Sequence, residues 1–324
     1  MNTIKKIQSK IEEHFSKINF DKNPTELYAP IAYTLNQGGK RLRPALCLMA
    51  CDMFGGDIDK AINPAIGIEI FHNFTLVHDD IMDNAPIRRG KVTVCKKWNT
   101  NIAILSGDTM MTIAYDYIMK APVAVRSDVF AIFNKTAIEV CEGQQYDMNF
   151  ETQQNVSIND YIEMIRLKTA VLLAGSLKIG AIIGGADETD AEKIYRFGVN
   201  IGLSFQLKDD LLDVFSDEEK FGKKNGGDIV TNKKTYLYLK AFELAKGRTF
   251  DSLWYYFNKY FKDDSVKING VKEIYEELKI KELTQQAMDK YYRQALKYLE
   301  KIKVNESLKS ELKKFVEKLM LRES

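Results

Sequence analysis

His78-Asp79-Asp80-Ile81-Met82-Asp83 decides the reading of this chain, because Lys208-Asp209-Asp210-Leu211-Leu212-Asp213 repeats its acidic spacing far downstream. Both runs read D-D-x-x-D, and each follows an apolar stretch of helical character, Phe71 to Val77 and Ile201 to Leu207. On a helix the first and last acids of each triplet, Asp79/Asp83 and Asp209/Asp213, are i,i+4 neighbours with Cβ atoms about 5–6 Å apart on one face. Like charges gathered this way cost stability unless a cation sits among them, and a carboxylate in a partly apolar setting otherwise raises its pKa and neutralises. Oxygen-only ligands favour Mg²⁺ or Ca²⁺ over zinc, and Mg²⁺ is commonly held by one or two carboxylates together with substrate phosphates.

A single acidic triplet on a helix is most often a solvated face; a repeated one accompanied by many cations is not. The cations are Lys40, Arg41 and Arg43 within Gly38-Gly39-Lys40-Arg41-Leu42-Arg43-Pro44, then Arg88-Arg89-Gly90, Lys168, Lys223 and Lys233-Lys234. Two acid groups and this set of cations point to two multiply charged phosphates, one bridged by metal and one gripped by Arg and Lys forks.

Composition narrows the class. Hydrophobic residues make up 45% of the 324, ample for a core, and a net charge of +2 argues against a nucleic-acid scaffold. No proline follows Pro122, which suits long helices. Cys47, Cys51, Cys95 and Cys141 without a secretory leader fit reduced thiols in a cytoplasmic protein, and no His or Cys partners complete a zinc set around Cys47 and Cys51, which read as small buried apolar groups. No apolar run has the length of a membrane span.

Helical periodicity covers nearly the whole chain, and no convincing alternating strand appears. Residues 1 to 22 form an amphipathic pattern, 25 to 37 a second ending at Gly38-Gly39, and Pro44 to Phe54 a third. Ala61 to Val77 is apolar on nearly all sides and so belongs in an interior. After a break at Pro86 to Gly90 come helical stretches at about 102–119, 127–150, 158–184, 189–215, 235–246, 251–261, 266–278 and 280–302, with a mobile-looking basic loop at Gly222 to Asn232. A charged amphipathic helix pair closes the chain. No composition shift marks a linker, so the expectation is one all-α domain over residues 1–324.

With both triplets, the Gly38-to-Pro44 loop and Arg88-Arg89-Gly90 in hand, the chain resembles the trans-isoprenyl diphosphate synthases, or polyprenyl synthetase family, from Gly38 to about Tyr298. The resemblance implies an all-α single-domain helical bundle around a deep central cavity, generally a homodimer. It implies that Asp79, Asp80, Asp83, Asp209, Asp210 and Asp213 hold three Mg²⁺ on an allylic diphosphate (dimethylallyl, geranyl or farnesyl), with Mn²⁺ as a possible substitute. Lys40, Arg43, His72 and Arg89 match positions that grip isopentenyl diphosphate. Arg88, Lys168, Lys223 and Lys233 match cations on the allylic diphosphate, Thr169 and Gln206 line the site, and Gly143-Gln144 with Asp147 matches a polar turn on a neighbouring helix.

The implied chemistry suits the residue types. Ionising an allylic diphosphate leaves a carbocation and free diphosphate, so catalysis amounts to stabilising charge on the leaving oxygen, and no nucleophilic side chain is required. The histidines are only His14, His72 and His78, with no Ser-His or Cys-His constellation. His78 reads as a packing histidine, Arg41 as a surface or packing cation, and Phe150 as a core aromatic. A class I terpene cyclase would share the fold, but with an Asn/Ser/Glu metal motif in place of the second triplet. A non-catalytic regulatory subunit would be expected to have lost acids or cations. Product length is read from Phe71, Phe74 and Thr75, the candidate floor of the chain pocket on the helix before the first triplet. The pattern Phe74 to Asp80 most resembles geranylgeranyl diphosphate synthases, giving C20 as the expectation and C15 as the alternative.

Overall fold

Residues 3–216 and 225–321 are described by the computed structural model, and they are helical almost throughout. In order, α1 is Thr3–Ser16, α2 Thr25–Leu35, α3 Leu42–Met53 and α4 Ile58–Met82; α5 (Val94–Lys97), α6 (Thr100–Ile118) and α7 (Arg126–Thr152) follow. Then come α8 (Ile158–Ile165), a π-helical segment Arg166–Ala170, α9 (Val171–Ile183), α10 (Glu188–Phe215) and a single turn α11 (Gly227–Val230). The remainder is α12 (Tyr236–Leu244), α13 (Arg248–Asn258), α14 (Asp264–Glu277), α15 (Ile280–Glu300) and α16 (Glu306–Leu321). The all-α expectation holds, with one correction. Ile87–Arg88 (β1) pairs antiparallel with Lys91–Val92 (β2), a hairpin whose strands are too short to show alternation in the sequence.

Packing divides the chain into two compact units, the first of Met1–Lys135, Gly175–Ile194 and Lys303–Leu312, the second of Thr136–Ala174, Tyr195–Ile302 and Lys313–Ser324. In the first, α4 is the central element, lying along α6 and α3. Its Ile62, Ile66, Ile68, Ile70, Phe71, Phe74 and Val77 are all buried, which is why the stretch is apolar around its whole circumference. Each such side chain contributes roughly 1.5–3 kcal/mol over an exposed one. α1 is shorter than the 1-to-22 pattern predicts: Ile7 and Ile11 are buried, but Asn19 accepts from the Asp21 amide at 2.7 Å, an Asx turn in place of a further helical turn. Cys47 and Cys51 are buried, and burial pushes both thiols far up, consistent with inert apolar packing.

In the second unit α10 runs through the core, presenting Leu203, Leu207, Leu211 and Val214 to Tyr161, Ile165, Leu237, Phe257 and Tyr275. The stretch 158–184 is not one uniform helix, because Arg166–Ala170 widens to π geometry. Glycines let two neighbours close on it. A Cβ at Gly143 of α7 would stand 2.2 Å from the Lys168 nitrogen, and one at Gly202 of α10 would stand 2.5 Å from the Ala170 Cα. Segments of this kind are frequent at functional sites, and this one carries Lys168 and Thr169. Of the predicted mobile-looking loop at 222–232, Gly222 to Lys224 lie outside the described residues; Asn225 is buried against Ser216, and α11 follows.

Close backbone approach also sets how α9 meets α3. A Cβ at Gly180 would stand 1.9 Å from the Cys47 carbonyl oxygen, a clash that no rotamer change relieves. Alanine gains about 1 kcal/mol in helix propensity over glycine, whereas forcing atoms into a packed core typically costs 1–3 kcal/mol or more. Gly180→Ala is therefore expected to lower the urea midpoint with an unchanged m-value; a midpoint at or above the parent's would contradict this packing.

Candidate active site

In the first unit α4 ends on the first triplet. Asp79 is partly buried, Asp80 is 4% exposed, and Asp83 is the exposed C-cap. The β1–β2 hairpin follows directly, turning through Arg89 (φ 51) and Gly90 (φ 74), the positive pair that a tight I′ hairpin needs. It is clipped at three points: Arg88 Nε donates to Asp80 Oδ1 at 2.7 Å, Arg89 Nη1 donates to the Gly38 carbonyl, and the Tyr33 hydroxyl donates to the Val92 carbonyl at 2.8 Å. Burial raises the Asp80 carboxyl and Arg88 opposes it.

The glycine loop is anchored by the residue least expected to matter. Arg41 is 6% exposed, not a surface cation; it donates Nη1 to the buried Glu69 at 3.0 Å and Nη2 to the Leu35 carbonyl at 2.6 Å, and lies over the Phe15 ring. Arg41 is committed to Glu69 and Arg88 to Asp80, while Lys40, Arg43 and Arg89 have no ion pair with a carboxylate among the described residues. Arg43 Nε is buried with no hydrogen-bond partner. Burial brings the Arg43 guanidinium down to about 10, with Glu69 opposing and Arg89 adding to the fall. Burial, reinforced by Arg43, Arg89, Arg88 and Arg41, pushes His72 well below its ordinary value, so its ring is neutral at pH 7 and can donate one hydrogen bond without adding charge.

Upstream on α4, Phe71 is fully buried. Its ring meets Phe74 at 5.4 Å and stands edge-on to Phe133 of α7 at 5.3 Å, with Tyr115 of α6 edge-on to Phe133 at 5.1 Å. Phe74 is 7% exposed and meets the His78 ring edge-on, as expected of a packing histidine. Thr75 donates its hydroxyl back to the His72 carbonyl at 2.8 Å. Phe133 and Tyr115 lie far from the triplet in sequence and were not legible as partners of Phe71.

The second unit holds a different electrostatic arrangement. Asp147 accepts from Lys168 Nζ at 2.6 Å, with Lys233 Nζ at 3.6 Å; burial pushes its carboxyl up, but Lys233 and Lys168 outweigh that and hold it low. Thr169 Oγ1 donates to Gln206 Oε1 at 3.1 Å, and Gln206 Nε2 donates to Asp210 Oδ1 at 3.1 Å. The buried Tyr161 hydroxyl donates to Asp210 Oδ2. Asp209 is exposed, while Asp213 accepts from the Asp228 amide at 3.0 Å, which sets α11 against the second triplet. Asp228 is raised to about 7 by burial and by Asp213, with Lys233 opposing, and burial raises Asp210 to about 6. Lys234, next to Lys233, does something else: its ammonium donates to the carbonyls of Phe150 and Gln153 and so caps the end of α7.

The first unit thus carries Lys40, Arg43, His72, Asp79, Asp80, Asp83, Arg88 and Arg89, and the second Lys168, Thr169, Gln206, Asp209, Asp210, Asp213 and Lys233; Lys223 lies outside the described residues. Sequence reading passed over Tyr161, Asp228 and the Arg41–Glu69 pair. Asp228, five residues before Lys233, was the one with a signal. A divalent cation suits the second unit, where, among the described residues, burial raises Asp210 and Asp228 and the neighbouring carboxylates Asp209 and Asp213 add to the rise, with Lys233 opposing. Among the described residues no three acids form a ready-made cage. Mg²⁺ held by one or two carboxylates and substrate phosphates needs none.

The polyprenyl synthetase family model matches residues 24–278. A geranylgeranyl diphosphate synthase of Methanosarcina mazei is 43% identical over 223 residues, 68% of each chain. The crystal structure of a geranylgeranyl pyrophosphate synthase is similar over 100% of both chains, with a TM-score of 0.94 and 44% identity. A polyprenyl synthase from Caulobacter crescentus CB15, complexed with calcium and isoprenyl diphosphate, is similar with a TM-score of 0.85 at 25% identity, over 99% of this chain and 96% of that one. This chain belongs to the polyprenyl synthetase family.

The raised carboxyls carry a pH signature. Asp228 and Asp210 rise from an ordinary 3.8 to about 7 and about 6, so between these values the folded chain holds protons that the unfolded chain has released. With metal chelated, their contribution to stability is present at low pH and is lost as pH rises through 6 and 7. In EDTA, Asp228→Asn should exceed the parent in urea midpoint at pH 8 and lose that advantage by pH 5. A parent-to-variant difference that does not change with pH would contradict the assignment.

Proposed function

We propose that this chain joins isopentenyl diphosphate head to tail (1′-4) to an allylic diphosphate, releasing diphosphate and giving an all-trans C20 prenyl diphosphate. The chain is a prenyltransferase; its relatives are named geranylgeranyl diphosphate synthases. The observation that carries the residue assignment is the unlike charge setting of the two units among the described residues: the cations Lys40, Arg43 and Arg89 gathered in one, with Arg43 Nε buried and lacking a hydrogen-bond partner, and in the other acids close enough that Asp209 adds to the rise of Asp210 and Asp213 to that of Asp228.

In this reading Lys40, Arg43 and Arg89 hold the diphosphate of isopentenyl diphosphate without metal, and neutral His72 donates a hydrogen bond to it. Asp79, Asp83, Asp209 and Asp213 hold Mg²⁺, which when bound neutralises charge developing on the leaving diphosphate. Lys168 and Lys233, positioned by Asp147, bind the same leaving group, and the departing diphosphate takes the proton lost from the coupled product. Three ions are expected. Since the family match runs from 24 to 278 through both units, one catalytic domain is inferred. A homodimer is proposed as well, supported by the exposed Ile104, Leu105 and Met119 on α6 and its end, and Phe130 on α7. No helix among the described residues is long and apolar enough to cross a membrane, and the free cysteines suit the cytoplasm. The second D-D-x-x-D argues against a terpene cyclase.

Incubation with isopentenyl diphosphate, each allylic diphosphate in turn and Mg²⁺, with product-length analysis, tests the reaction. Arg43→Ala should raise KM for isopentenyl diphosphate about 10- to 100-fold, the loss of a charged hydrogen bond, with little change for the allylic substrate. The reverse pattern would mean the two sites are exchanged.

C20 is favoured by the relatives and by Phe74 followed by the small Thr75, with C15 as the alternative. Replacing Phe71 and Phe74 together by Ala should lengthen the product by one or more C5 units. An unchanged distribution would assign both rings to packing alone, Phe71 against Phe133 and Phe74 against His78.

A further inference from the structure

Asp209, Asp210 and Asp213 read alike in sequence, but their surroundings separate them. Asp209 is exposed and Asp213 partly so, and these two share a helix face. Asp210 is turned about 100° from Asp209. It is 4% exposed, and each of its oxygens accepts a hydrogen bond, Oδ2 from the Tyr161 hydroxyl and Oδ1 from Gln206 Nε2 at 3.1 Å. Gln206 accepts in turn from Thr169 in the π segment. Tyr161 is itself almost fully buried in α8, whose start is secured by the reciprocal Ser157/Asp160 capping box.

We infer that Asp210 is the buried anchor of the second triplet rather than one of its metal ligands, and that Tyr161 is the positioning residue that orients it. The inference rests on the proposed metal role of Asp209 and Asp213. The line Thr169–Gln206–Asp210–Tyr161 ties α10 to both α8 and the π segment, so the rotation of α10 that presents Asp209 and Asp213 is set by bonds made on the side of the helix next to that face. A phenol suits this better than a second cation would: it satisfies the carboxylate without competing for the metal's charge. Removing groups that orient metal ligands from behind commonly costs 10- to 100-fold in metal affinity.

The test uses binding as well as turnover. Calorimetry with Mg²⁺ and inorganic diphosphate, well below the melting temperature, should show Tyr161→Phe binding about tenfold more weakly than the parent, and kcat should fall while KM for isopentenyl diphosphate is kept. Asp210→Asn should retain Mg²⁺-dependent diphosphate binding within about tenfold, whereas Asp209→Asn should abolish it. Should Tyr161→Phe fail to fold, Gln206→Met removes the other donor and is expected to weaken binding in the same way. Parent-like diphosphate binding in the folded variant, or an Asp210→Asn protein as defective as Asp209→Asn, overturns the inference. A parent that binds Mg²⁺ and diphosphate but couples no pair of substrates overturns the proposed reaction instead, and the binding comparison still decides the role of Tyr161.

Discussion

Arg41 and Glu69 are buried together, and the cationic group of the first unit depends on that pair. An unpaired charge in either position costs several kcal/mol, so each holds the other in place. The pair joins the first residue before α3 to the middle of α4, which draws the Gly38-to-Lys40 loop against the α4 surface and leaves Arg41 in a left-handed conformation (φ 45). Arg43, two residues on, is half-buried, and its Nε is buried with no hydrogen-bond partner, while Glu69 is hydrogen-bonded to Arg41. The hairpin then closes over the loop through Arg89 and Gly38. The result is a group of cations held close together, with Arg43 Nε buried and lacking a hydrogen-bond partner.

The second unit solves the opposite problem. A surplus of carboxylates is tolerated because each has some compensation: Asp147 its two lysines, Asp210 a phenol and an amide, Asp213 a backbone N–H. Burial, with Asp213 beside Asp228 and Asp209 beside Asp210, still raises these two carboxyls, and a divalent cation would oppose that rise. Glycine is as important here as charge. Gly143 and Gly202 admit the widened π segment, so Lys168 reaches Asp147 and Thr169 reaches Gln206 from adjacent positions in one turn.

Sequence neighbours repeatedly take unlike roles. Lys233 faces Asp147 while Lys234 caps α7; Asp209 is exposed while Asp210 is buried; Arg41 is paired with Glu69 while Arg43 Nε has no hydrogen-bond partner. A motif states which residue types are present within a few positions. It does not state which way each one points, since a step of one residue turns a helix by about 100°.

The helices, the interior position of α4 and the two acid triplets were determined by the sequence itself, because apolar periodicity and i,i+4 acid spacing are local properties of the chain. So was the supply of cations at Gly38 to Arg43 and at Arg88-Arg89. The β1–β2 hairpin, the π turn and α11 were decided only by the tertiary structure: each is a few residues long, too short to carry a period, and each is stabilised by partners far away in sequence. The same holds for the burial of Arg41, the seating of Phe71 against Phe133 and the grip of Tyr161 on Asp210. In all of these the deciding term is a long-range contact, and a single sequence records the two partners without recording that they meet.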